Sequence, residues 1–171
     1  MTKIGKTALA ALAAIALTVA AAGAPAQAKT MRQQLIGNWA VVLAEVTQGD
    51  VKREVFGPDP KGLLILEPDG RFVQILLTSG LPKFASNSRD TGTPEENKEI
   101  VTKSLAFFGT WTVDEASRTV ALAVEASTYP NYDGTTLKRL VTTLNATDMV
   151  WTNPTPSQGS GTGNVSWKRV K

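Results

Sequence analysis

Residues 62–78 read Gly-Leu-Leu-Ile-Leu-Glu-Pro-Asp-Gly-Arg-Phe-Val-Gln-Ile-Leu-Leu-Thr, two apolar β-prone runs around Pro68-Asp69-Gly70. Proline presets φ for the second turn position, an aspartate bonds its own backbone, and glycine supplies positive φ. The segment predicts a β-hairpin. Its first run, Leu63-Leu64-Ile65-Leu66, alternates weakly, which predicts cover on both faces.

The same grammar recurs along the chain. Residues 35–46 place Gly37, Trp39, Val41 and Leu43 on one side of a first strand, after a polar lead-in at 29–34. Residues 51–60 contain Phe56-Gly57-Pro58-Asp59-Pro60 and predict a long connection, because two prolines forbid a regular central strand. The hairpin supplies strands two and three. Further strands follow at 107–113, 118–126, 135–144, 149–152 and 165–170, separated by Asp-, Asn- and Gly-rich turns. Within them Thr93-Pro94-Glu95-Glu96 is a helix start with a capping box, predicting one helix of about three turns whose apolar face holds Ile100, Val101 and Leu105.

Eight strands in meander order with one inserted helix, and no strand-helix-strand repeat, exclude a parallel sheet. The expected fold is all-β, an eight- to ten-stranded antiparallel up-and-down barrel, which removes exposed edges and can hold one small ligand. A two-sheet sandwich is the structural alternative.

The first 28 residues differ in kind. Lys3 and Lys6 precede an unbroken Ala/Leu-rich run at 7–22, and Ala26-Gln27-Ala28 places small residues for cleavage. This is the pattern of a secretory signal peptide at 1–28, leaving one domain at 29–171 that is periplasmic or secreted, with no membrane span after cleavage. The run is too short and Ala-rich for a spanning helix.

The formal charge is +3, and the segment takes two lysines and no acid with it, so the remainder is close to neutral. Its longest basic clusters, Lys52-Arg53 and Lys168-Arg169, are too short to track nucleic acid. There is no Cys and no His. That excludes disulfides, Ser-His-Asp and Cys-His catalysis, His-ligated zinc and ordinary His-ligated haem. No calcium loop or phosphate loop occurs either, so no catalytic set, metal or cofactor is expected.

Several motifs together carry a resemblance. Gly37-Asn38-Trp39 has the Gly-x-Trp pattern of lipocalins, and Trp167-Lys168-Arg169 is similar to the closing Arg that packs over that Trp. Leu35-Ile36-Gly37-Asn38-Trp39, the 62–72 hairpin, Gly92-Thr93-Pro94-Glu95-Glu96, the 107–114 strand, Tyr129-Pro130-Asn131, Gly134-Thr135 and Arg139 stand in the order of the bacterial and fungal lipocalin-like domain family. The resemblance implies an antiparallel lipocalin-like barrel with a hydrophobic cavity. It implies no single activity; some fungal relatives sit in metabolite pathways as isomerases or cyclases. Members often carry a His on the strand matching Leu122-Ala123, and this chain has none there, which favours plain binding.

The candidate residues divide by role. Gly37, Trp39 and Arg169 read as barrel closure, a guanidinium stacked on an indole. Phe72, Phe107 and Trp111 are core, cavity wall or both. Gln74, Glu125 and Arg139 lie on strands where an inward direction is open, although charged side chains mostly face water. An inward Arg139 must be paired, either with Glu125 or with the head group of an anionic ligand such as a fatty acid. Tyr129 and Asn131, with Tyr132, form a turn that covers the rim or gates the mouth.

Three functions follow as expectations. The first is an exported barrel binding a small hydrophobic or amphipathic molecule. The second is an isomerase or cyclase using the cavity as a chamber, with Glu125 or Tyr129 as acid or base. The third is a structural or protein-binding barrel with a filled interior.

Overall fold

The computed structural model describes residues 28–157 and 159–171. All but Ala28 of the segment read as a signal peptide lies outside them.

Among the described residues, nine strands form one antiparallel sheet: β1 (Gly37–Gln48), β2 (Val51–Glu54), β3 (Lys61–Leu66), β4 (Arg71–Leu77), β5 (Ser104–Asp114), β6 (Thr119–Ser127), β7 (Thr136–Leu144), β8 (Asp148–Asn153) and β9 (Thr162–Arg169). The order is β2-β1-β3-β4-β5-β6-β7-β8-β9, and β1 also pairs with β9. Eight strands therefore close an antiparallel barrel, and β2 is one extra strand on the far half of β1. The β1–β9 seam runs from Trp39↔Arg169 to Thr47↔Thr162. Closure excludes the sandwich.

The hairpin turn behaves as its chemistry demands. Asp69 Oδ1 accepts from Arg71 N at 2.9 Å, and Gly70 adopts φ +94°. β1 departs from simple alternation. A bulge between Val41 and Leu43 inserts one residue. Trp39 and Val41 point inward, and after the bulge Ala44 and Val46 do, so Leu43 leaves the face that strict alternation gave it.

Among the described residues, two α-helices flank the barrel ends. The lead-in read as merely polar folds into α1 (Met31–Leu35), with Thr30 and Gln33 forming a capping box. The Glu115 carboxylate accepts from Met31 N at 2.9 Å and Arg32 N at 3.0 Å, satisfying N–H groups that a short helix leaves free. α2 (Pro94–Thr102) starts at the predicted Thr93 cap. Its expected apolar face does not form: Val101 is 70% exposed, and Leu105 belongs to β5. The connection at 51–60 also contains structure, because β2 forms before the prolines begin.

The two ends differ. At one, α1 lies across the barrel and the turns after β3, β5 and β7 are short. At the other, the β2–β3 connection, residues 78–103 with α2, the turn at 128–135 and residues 154–161 surround a mouth.

Candidate functional site

The α1 end is packed shut. The Arg169 guanidinium lies 4.0 Å over the Trp39 ring and donates to the carbonyls of Ile36 and Ala146, each at 2.8 Å, and of Gln34. Trp39 Nε1 donates to Leu35 O at 2.8 Å. Gly37 has φ +126°, and a Cβ there would stand 2.8 Å from Arg169 Nη1, so glycine is required beside the stacked pair. A second pair repeats the device: Arg32 lies 4.3 Å over Trp111, whose Nε1 donates to Glu67 O at 3.0 Å. Trp111 is thus part of this plug and does not line the cavity.

Above the plug sits a layer of aromatics. Phe72 and Phe107 meet edge to face at 5.8 Å, and Phe107 meets Tyr132 at 5.8 Å. Trp151 and Trp167 meet at 5.6 Å.

The open half holds a cavity of about 40 Å³, room for two or three waters, bordered by Gln74, Phe107, Tyr132, Arg139, Trp151 and Asn153. We call it the inner chamber. Arg139 is 3% exposed. Its Nη1 donates to Lys138 O and Asn153 Oδ1, both at 2.9 Å. Among the described residues it forms no salt bridge with a carboxylate. Burial pushes its pKa down to about 10, and the neighbouring Tyr132 offsets part of that. Among the described residues, two buried polar atoms on side chains that border the chamber have no hydrogen-bond partner, Gln74 Oε1 and Trp151 Nε1. The acid on the chamber border, Glu45, lies 3.5 Å from Lys52.

Outside the chamber is a vestibule of about 380 Å³, bordered by Arg53, Phe56, Val101, Leu105 and Tyr129 among others. Phe56 borders both spaces and is 3% exposed.

The sequence candidates are therefore split. Gln74, Phe107 and Arg139 come together at the chamber, and Tyr129 borders the vestibule. Phe72 supports Phe107 from below. Glu125 does not join them. Val120, Leu122 and Val124 take the inward positions of β6, so Glu125 faces out and pairs with Arg71, Oε2 at 3.1 Å from Nη2. It is not the partner of Arg139. Asn131 is exposed on its turn and borders neither space, while its neighbour Tyr132 turns inward. Phe56, Trp151 and Asn153 were not singled out from sequence. Trp151 was accessible through the alternation of Met149 and Trp151 on β8; Phe56 reaches the barrel only because its connection folds back.

Chemically, the chamber offers a guanidinium, an indole N–H and neutral amides inside an apolar wall. The Tyr132 phenol and the Glu45 carboxylate also border it, and the guanidinium is the group there that pairs most strongly with an anion.

A family model described as a lipocalin-like domain matches residues 36–170. Comparison with curated proteins gives no match. Among solved structures, a redesigned β-barrel is similar, at 14% identity and a TM-score of 0.43, covering 84% of this chain and 100% of that chain.

Proposed function

The chain belongs to the lipocalin-like domain family, and from that premise we propose that it binds a small amphipathic carboxylate, head group inward, through the mouth opposite α1. The observation that carries the reading is Arg139. A guanidinium buried without a carboxylate partner costs the fold stability, and such a charge is retained where something else pairs with it. The unpartnered indole N–H of Trp151 is a second donor on the same chamber. The vestibule supplies apolar wall for the remainder of the ligand, through Val55, Val101 and Leu105.

The location belongs to the same proposal. Lys3 and Lys6, the apolar run at 7–22 and Ala26-Gln27-Ala28 support export with removal of 1–28. The domain at 29–171 then works in the periplasm or outside the cell.

Two measurements test the reading. Native mass spectrometry of the protein taken from its own cell envelope is expected to show a bound carboxylic acid. Calorimetric titration with decanoate is expected to show one site that Arg139→Met removes. Equal decanoate binding by wild type and Arg139→Met rejects the head-group role.

A further inference from the structure

We infer that Phe56 blocks the passage between the inner chamber and the vestibule through which a bound ligand's chain must run, and that binding requires its displacement. The inference rests on the reading of the inner chamber as a carboxylate site and adds the residue that decides which carboxylates fit.

The volumes lead to it. The chamber of about 40 Å³ accepts a head group and little more, whereas small-molecule pockets span roughly 300–1,000 Å³. The vestibule, at about 380 Å³, has the capacity the chamber lacks. A head group at Arg139 and a body in the vestibule must be joined through the partition between the two spaces. Val55, Phe56, Leu105 and Ser157 border both. Leu105 is fixed in the β4–β5 ladder opposite Leu76. Phe56 is the largest of the four and stands on a connection between strands.

The connection is suited to movement. β2 is four residues long and exposed throughout. Its ladder to β1 ends near Val55, whose N–H donates to Ala44 O at 2.9 Å. Gly57 follows at φ +75°, with nothing near the position of an added Cβ. Segments with little buried side-chain area open at lower free energy than core strands. Phe56 is thus a well-buried side chain on a weakly held strap. A ligand that fills its place inherits the apolar wall, and its apparent affinity is reduced by the fraction of time the plug is in.

The test compares decanoate with acetate on wild type, Phe56→Ala, Phe56→Leu and Arg139→Met. Phe56→Ala is expected to bind decanoate about tenfold more tightly than wild type while acetate affinity stays within about twofold, with Phe56→Leu between them. A second readout needs no variant: in wild type, saturating decanoate is expected to speed amide hydrogen exchange across residues 51–60, and acetate is not. Decanoate binding that Arg139→Met abolishes but Phe56→Ala leaves unchanged overturns the plug alone. So does decanoate that leaves residues 51–60 as protected as before. Failure of both wild type and Phe56→Ala to bind decanoate overturns the chamber reading and the plug with it.

Discussion

Arg139 Nη1 donates to Asn153 Oδ1 at 2.9 Å, a charged donor meeting a neutral acceptor inside a closed barrel. The pairing satisfies a hydrogen bond but leaves the charge uncompensated. Burial pushes the folded pKa down to about 10, below the ordinary arginine range, so the direction is fixed. The guanidinium's stabilising contribution exists only above its unfolded pKa and is lost as pH falls through about 10, so at neutral pH the buried charge weakens the fold. Each tenfold change in a protonation equilibrium is worth about 1.4 kcal/mol, so the weakening is a few kcal/mol at most.

Replacing Arg139 by Met is therefore expected to raise unfolding free energy by about 1–3 kcal/mol while removing decanoate binding. Asn153 Oδ1 keeps a donor, Thr155 N at 3.1 Å, so the change leaves no orphaned acceptor there. Urea melts and calorimetry on one preparation check both halves. A variant less stable than wild type speaks against an unpaired charge.

Asn153→Asp puts a carboxylate where the proposed head group would bring one. The expected result is a more stable unliganded protein with decanoate affinity lowered at least about tenfold, since the internal acid now competes for the guanidinium. Unchanged affinity at neutral pH means that Arg139 does not meet the ligand.

At the opposite end, Trp39→Ala removes a fully buried indole from beneath Arg169. A loss of about 3–5 kcal/mol is expected from burial of that size. Because the inner chamber lies beyond the aromatic layer, decanoate affinity measured below the melting transition is expected to stay within about threefold of wild type. Thermal melts and titrations giving the reverse order of effects count against a purely structural plug.

Gly109→Ala probes the bulge between β5 and β6, where Gly109 of β5 faces the residue inserted in β6. An added Cβ there would stand 2.0 Å from the Ala123 carbonyl oxygen, and backbone in a ladder cannot yield as a side-chain tip can. The substitution is expected to cost more than about 3 kcal/mol or to prevent folding, read by circular dichroism and denaturant titration.

Glu96 gives a pH-dependent prediction at the mouth. Its carboxylate accepts from Ala85 N at 2.8 Å and Thr93 N at 2.9 Å, and these bonds hold its pKa below the ordinary value of 4.5. A depressed acid stabilises above its unfolded pKa and loses that contribution as pH falls through the folded value. Residues 85–96 are thus expected to become more sensitive to an acid-active protease as pH falls below the ordinary carboxylate range, before the barrel melts. Glu96→Gln is expected to show the sensitivity at neutral pH.

Much of this architecture was legible because its causes are local. Pro68-Asp69-Gly70 contains its own turn chemistry, and Thr93-Pro94-x-Glu96 its own cap. Facing was left open at Glu125 and Arg139, because a one-residue slip of register flips a strand; β6 turns Val120, Leu122 and Val124 inward and Glu125 outward, and β7 turns Leu137, Arg139 and Val141 inward. The bulge after Val41 was not legible, since an inserted residue leaves no mark in composition. α1 carried its signal in Thr30-Met31-Arg32-Gln33, a capping box obscured by the polar run around it. β2 carried none, because Val51-Lys52-Arg53-Glu54 has no alternation to read. Phe56 and the chamber volume depend on how far a connection folds back, which no short-range pattern encodes.

The outer margin of β2 bears on how the molecule behaves in company. Among the described strands, β2 has a ladder partner on one side only. A half-satisfied row of amides and carbonyls is a template on which stray polypeptide can polymerise, yet Lys52, Arg53 and Glu54 line this one with charge, and four residues offer little length to grip. The strap that frees the mouth is thereby also guarded against recruiting a neighbour each time it loosens.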